Sequence, residues 1–175
     1  MYPPLLLYNE IMTKFKLEAS PVKVFSFEIR ETDNPFDRYV IYLLGDDRPA
    51  PEMGKKAGEF NITIRQGTFG EDRLRSELLW SRKRVWEANG SVSTEVNNLT
   101  PLTIVENDIF ITLCGIDGLE IEGVDVPVFE NAGSYKRVKD KAQLVEFLSR
   151  LPSQWINLFY ECVLVVNPKW DDKSA

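Results

Sequence analysis

The sequence predicts an α+β protein: a small antiparallel N-terminal sheet followed by a mostly helical C-terminal half that ends in an αα-hairpin. Three observations carry this. Apolar residues alternate with polar ones through the first third of the chain, they recur at helical spacing from Thr68 onward, and Pro, Gly and Asn punctuate the connections. The chain has 175 residues, of which 43% are hydrophobic, enough for one core. The expected layout is one folded unit with a strand-rich region over 12–67, a helical region over 68–170 and a tail over 171–175.

The chain opens Met1 to Tyr8 with three consecutive leucines and no basic residues, far from a secretory signal or a spanning helix. Met12-Thr13-Lys14-Phe15-Lys16 reads as a start, so residues 1–11 are expected to be an extension dispensable for folding. Phe15 and Leu17 then share one strand face. Phe25, Phe27 and Ile29 share another, opposite Val24, Ser26 and Glu28. The continuous apolar run Tyr39 to Leu44 predicts a central strand, and Phe60, Ile62 and Ile64 alternate with Asn61, Thr63 and Arg65. Asp33-Asn34-Pro35 and the segment Gly45 to Glu59, with Pro49, Pro51, Gly54 and Gly58, read as connections.

Thr68 followed by Glu71 is a capping box, in which each side chain satisfies the other's backbone N–H. The predicted helix carries Leu74, Leu78 and Val85 on one stripe with Leu79 and Trp86 beside it. It closes at Asn89-Gly90 and gains an (i, i+4) pair from Glu71 and Arg75. Thr100-Pro101 supplies a second N-cap and a proline at the first helical position, after which Leu102, Val105, Ile109 and Leu113 recur until Gly115. A strand competes for this segment, because Thr103, Ile104, Val105, Ile109, Ile111 and Thr112 are β-branched. Alternation returns over Leu119 to Phe129 and slips at Gly123, the pattern of a short hairpin or bulge. Asp140 with Gln143 opens a helix bearing Leu144, Phe147, Leu148 and Leu151, which Pro152 breaks. The last helix carries Trp155, Leu158, Phe159, Cys162 and Val166 and stops at Asn167-Pro168.

Composition narrows the function. The chain contains no histidine, so Ser-His or Cys-His nucleophile pairs, histidine general bases and HExxH metal sites are all excluded. A non-catalytic protein without cofactor or metal is expected. Cys114 and Cys162 are far apart, fit no metal or redox spacing and sit among apolar residues, so they read as small buried hydrophobes in a reducing, cytoplasmic compartment. With 21 basic and 27 acidic residues the net charge is −6, which argues against coating nucleic acid through general electrostatics.

Four local features invite chemistry. Gly54-Lys55-Lys56 is not a phosphate-binding loop, since the required upstream glycine is Pro49 and Lys56 stands where Ser or Thr would bind magnesium. Asp117, Glu120, Glu122 and Asp125 do not match a calcium loop and read as a solvated hairpin; an enzyme would need two of them to converge in a cleft. Arg82, Lys83 and Arg84, between Trp80 and Trp86, are the best candidates for a small nucleic-acid-binding regulator. Glu71, Asp72, Glu77 and Glu87 almost cancel the local positive charge, so protein contact is the better reading. Finally, Tyr160 and Trp170 fall off the apolar stripe of the last helix and, if exposed, would be anchors for a partner.

The order of segments resembles the tail assembly chaperones of long-tailed bacteriophages. Ile62-Thr63-Ile64-Arg65, then Thr68-Phe69-Gly70-Glu71 opening a charged helix, then Leu102 to Cys114, precede Leu151-Pro152, Trp155 and Val166-Asn167-Pro168-Lys169-Trp170. The resemblance covers residues 60–170. It implies a small cytoplasmic protein, without cofactor, that binds a long helical tape-measure protein and keeps it soluble until the tail tube polymerises. The strand-rich first 60 residues depart from the family's mostly helical core and leave room for another phage structural or accessory protein. Trp80, Arg82, Arg84, Trp86, Tyr160 and Trp170 are the expected partner-binding residues, self-association is compatible with this role, and no membrane contact is expected.

Overall fold

The computed structural model describes residues 14–15, 20–45, 54–80, 82–86, 92–96 and 100–171, with backbone alone at 80 and over 82–86 and 92–96. Residues 1–11 and 172–175 lie outside these. Strands β1 (Val22–Glu31), β2 (Tyr39–Leu43), β3 (Lys56–Arg65) and β6 (Leu113–Asp117) form an antiparallel sheet in the order β2-β1-β3-β6. The register sets Phe27 opposite Phe60 and Phe25 opposite Ile62. The alternating apolar residues therefore fall in one layer, and Phe25, Phe27, Phe60, Ile62 and Ile64 are all buried.

Two strand expectations change. Tyr39 to Leu44 is an edge rather than a centre: only Ile41 is buried, while Tyr39 and Leu44 are exposed. Its continuous apolar run reflects half-burial on both faces, which periodicity alone does not separate from a central strand. The loop expected to reach Glu59 ends earlier, because Lys56 to Glu59 pair with Arg30, Ile29 and Glu28 of β1 and gain a backbone ladder despite poor alternation. Gly54 makes that return: its φ is +56°, and a Cβ there would stand 1.9 Å from the Glu31 carbonyl oxygen.

Helix α1 (Phe69–Trp80) opens with the capping box as expected: Glu71 N–H donates to Thr68 Oγ1 at 3.2 Å and Thr68 N–H to Glu71 Oε1 at 3.0 Å. It does not reach Asn89-Gly90, which lie outside the described residues. β4 (Arg82–Trp86) follows at once and pairs antiparallel with β5 (Val92–Val96), setting Lys83 opposite Glu95. Three β-branched residues in β5, Val92, Thr94 and Val96, provide a cross-strand partner that outweighs the helical spacing of Val85.

Helix α2 (Pro101–Thr112) has the predicted cap, with Thr103 N–H donating to Thr100 Oγ1 at 3.2 Å and proline in its first turn. The chain then passes straight into β6, so the helical spacing governs as far as Thr112 and the strand reading applies from Leu113. Residues 119–129 hold one bridge, Ile121 to Val124, around Gly123 at φ +77°. The regular hairpin comes later as β7 (Phe129–Ala132) and β8 (Tyr135–Val138), turning at Gly133 with φ +72°. Its polar sequence hid it.

In helix α3 (Lys141–Ser149), Asp140 caps by accepting from Ala142 N–H at 2.9 Å, but Gln143 does not close the box; it accepts from Val128 N–H at 2.8 Å instead. Helix α4 (Ser153–Val166) lays Trp155, Phe159, Cys162 and Val163 on the core, packing against α2 and the sheet. Its aromatics meet the sheet's. Phe27 stacks on Phe60 at 5.1 Å, Phe60 on Trp155 at 5.9 Å, and Phe159 meets both phenylalanines edge-on. One 3₁₀ turn, Pro168–Trp170, ends the described chain. Cys114 and Cys162 are both buried, and burial pushes the Cys114 thiol up to about 11. Among the described residues no helix is long and apolar enough to cross a membrane.

Candidate partner-docking surface

Helix α1 is inverted. Among the described side chains its inward side is built from Glu71, Asp72 and Arg75 with Leu79 as the one apolar residue, while Phe69 (83% exposed), Leu74 (65%) and Leu78 (38%) face solvent. Charged side chains dock this helix because each meets a fixed partner. Arg75, in the second turn, forks onto Asp108 of α2, Nε to Oδ1 at 2.9 Å and Nη2 to Oδ2 at 3.0 Å. Its Nη2 also donates to the Trp170 carbonyl at 3.1 Å, and the guanidinium lies 5.1 Å from the Trp170 ring centre. Tyr160 of α4 donates its hydroxyl to Asp108 Oδ2 at 2.9 Å. Asp108 is thus held from α1 and α4 while itself buried on α2, at 1% exposure. A bidentate ion pair with further hydrogen bonds is the arrangement in which burial of two charges is tolerated.

A second clasp holds the start of α1. Arg65 donates through both Nη atoms to Glu71 at 2.7 and 2.6 Å and lies over the Tyr135 ring at 4.2 Å. Burial raises the Glu71 carboxyl, but the Arg65 charge and the Thr68 donors more than offset it and hold it below the usual range. Asp72 accepts from Trp170 Nε1 at 2.6 Å. Asn167 ties the C-terminal turn to the strand that precedes α1: its amide oxygen accepts from Gly67 N–H at 2.7 Å, and its Nδ2 donates to the carbonyls of Arg65 and Val163.

This geometry corrects several expectations. Glu71 and Arg75 do not pair with each other; each reaches across to another element. Trp170 is buried and Tyr160 is half-buried with its hydroxyl engaged, so neither is an exposed anchor. Trp80 ends α1, and Arg82, Arg84 and Trp86 stand in β4 opposite Val96, Thr94 and Val92 rather than on a helix; their side chains lie outside the described residues. Asp117, Glu120, Glu122 and Asp125 are solvent-exposed, and among the described residues no cluster could hold a metal ion. Asp108 and Arg75 were missed as partners. The available signal was an acid inside the apolar segment Leu102 to Leu113, since a buried carboxylate demands a cation.

Tyr160 gives this network a pH signature. Burial, reinforced by the Asp108 carboxylate, pushes its hydroxyl up to about 12, whereas an unfolded tyrosine titrates near 10. The native state keeps a proton that the unfolded state loses, so the contribution is whole below about pH 10 and lost as pH rises through 12. It is on the order of 2 kcal/mol. Urea unfolding of wild type and Tyr160→Phe should show a stability gap that narrows between pH 9 and pH 12; a constant gap would refute the assignment.

Comparison with family models, curated proteins and solved structures finds no match for this chain.

Proposed function

We propose that this is a non-catalytic binding protein that shields an amphipathic helix of another chain, in the manner of a tail assembly chaperone guarding a tape-measure protein. The inversion of α1 carries this reading. A helix that docks through its charges leaves Phe69, Leu74 and Leu78 exposed, and exposed large apolar side chains on a surface helix favour a partner site. Leu74 and Leu78, one turn apart, share one side of the helix, Phe69 stands at the far border of the outward face, and the Arg73–Glu77 pair lies between them. A partner helix with apolar residues at i, i+3 and i+4 would pack on Leu74 and Leu78, with the Arg73–Glu77 pair at the border of the contact. The absence of histidine in the sequence supports a role without acid–base chemistry.

The test is co-expression with a long helical protein of the tape-measure type. Changing Phe69 and Leu74 together to Asp should leave the melting temperature nearly unchanged, because exposed substitutions cost within about 0.5 kcal/mol. The partner's soluble fraction and co-purification should both collapse. Equal solubilisation by variant and wild type would reject this surface, and a wild type that binds no helical partner would reject the chaperone reading. Binding to nucleic acid that falls steeply with salt would transfer the function to the Arg82, Lys83 and Arg84 strand.

A further inference from the structure

The connection between β1 and β2, the loop 119–122 and the turn between α3 and α4 line a cavity of about 400 Å³. Leu119 and Trp155 are its buried lining, while Phe36 and Tyr39, which are 96% and 39% exposed, stand at its mouth. Hydrogen bonds fix the turn that presents Phe36. The Phe36 N–H donates to Asn34 Oδ1 at 3.0 Å, and Thr32 N–H closes the turn on the Arg38 carbonyl at 2.9 Å. On the buried side, the Trp155 indole N–H has no acceptor among the described residues. Buried donors without a partner are rare in native proteins, so this one calls for an acceptor from outside the chain. Pro152, which also lines the cavity, leaves α4 without a side-chain cap.

We propose that this cavity docks a proline-rich segment of another protein, with prolines against Phe36, Tyr39 and Trp155 and a carbonyl accepting from Trp155 Nε1. A helix spends its carbonyls on its own N–H groups, whereas a polyproline II segment has no internal hydrogen bonds and keeps its carbonyls free. Proline carries no N–H, so it asks no acceptor of the apolar lining. Aromatic-lined grooves are the surfaces that proline-rich segments use. Charge sets the flank. Asp37, Glu120 and Glu122 outnumber Arg38 and Arg150 around the cavity, and Arg150 already pairs with Glu146, so a basic residue beside the prolines is favoured. This inference is independent of the α1 surface.

The probe is a fluorescein-labelled oligoproline peptide ending in Arg-Arg, titrated with the full chain. Its anisotropy should rise to saturation, while a glycine–serine peptide with the same arginines should not bind. Phe36→Ala should raise the dissociation constant at least about tenfold while circular dichroism stays native, because the side chain is almost wholly exposed. Trp155→Phe keeps a ring but loses the donor and should weaken binding about two- to tenfold. Phe36→Ala decides the matter if Trp155→Phe fails to fold. Changing Phe69 and Leu74 together to Asp should leave oligoproline binding intact, which separates this site from the α1 surface. No saturable binding of oligoproline, equal binding of the glycine–serine peptide, or wild-type affinity in Phe36→Ala would overturn the proposal. So would an amphipathic helical peptide that displaces oligoproline from the wild type.

Discussion

Replacing Asp108 with Ala is expected to cost about 3–5 kcal/mol, because it removes one partner of a buried ion pair and strands the other. Arg75 would keep the Trp170 carbonyl and ring but lose its counter-charge, and the Tyr160 hydroxyl would lose its carboxylate acceptor. For a chain of this length, each kcal/mol moves the melting temperature by about 2–4 °C, so a fall of roughly 6–20 °C should be visible by calorimetry. The decisive measurement is a double-mutant cycle with Arg75→Met and Asp108→Leu. Once Asp108 is gone, removing the guanidinium relieves an uncompensated buried charge, so the double variant should be far more stable than the sum of the single losses implies. A single loss under about 1 kcal/mol would mean that solvent reaches Arg75 and that the clasp contributes little.

The same clasp explains which parts of the fold were legible in the sequence. Phe25, Phe27 and Ile29, and Phe60, Ile62 and Ile64, declared their strands because period-two burial is local and depends only on one covered face. The Thr68–Glu71 and Thr100 caps were legible for the same reason: both partners lie within one turn. What local pattern could not give was any contact made at long range. Arg75 and Asp108 lie 33 positions apart, and Asn167 and Gly67 lie 100 apart. Reading Leu74 and Leu78 as the inward stripe followed the usual rule that apolar residues seek the core. In α1 that rule is overridden, because Arg65, Asp108 and Trp170 present matched partners to Glu71, Arg75 and Asp72. The extension of the helix to Asn89 failed similarly, since a strand's stability depends on a partner strand elsewhere in the sequence.

Trp170 makes the sharpest contrast between the two views. As an exposed anchor it would tolerate Ala within about 0.5 kcal/mol; as the buried side chain found here, its loss should cost about 3–5 kcal/mol. The ring is 3% exposed and closes the seam between α1 and the C-terminal turn. It lies so close to Gly67 that a Cβ there would stand 2.6 Å from Trp170 Cζ2, and it carries the Arg75 guanidinium on its face. Removing it opens a cavity and leaves Asp72 without its indole donor. Trp170→Phe separates these effects. It keeps most of the apolar surface but loses the hydrogen bond to a carboxylate, a deficit of about 1.5–3 kcal/mol before any change in packing. Chemical denaturation should therefore rank wild type above Trp170→Phe and both above Trp170→Ala, and co-purification of a helical partner should survive in the Phe variant, because α1 stays docked. If Trp170→Ala were as stable as wild type yet lost its partner, the C-terminal turn would be the docking surface, and the assignment to Phe69 and Leu74 would fall.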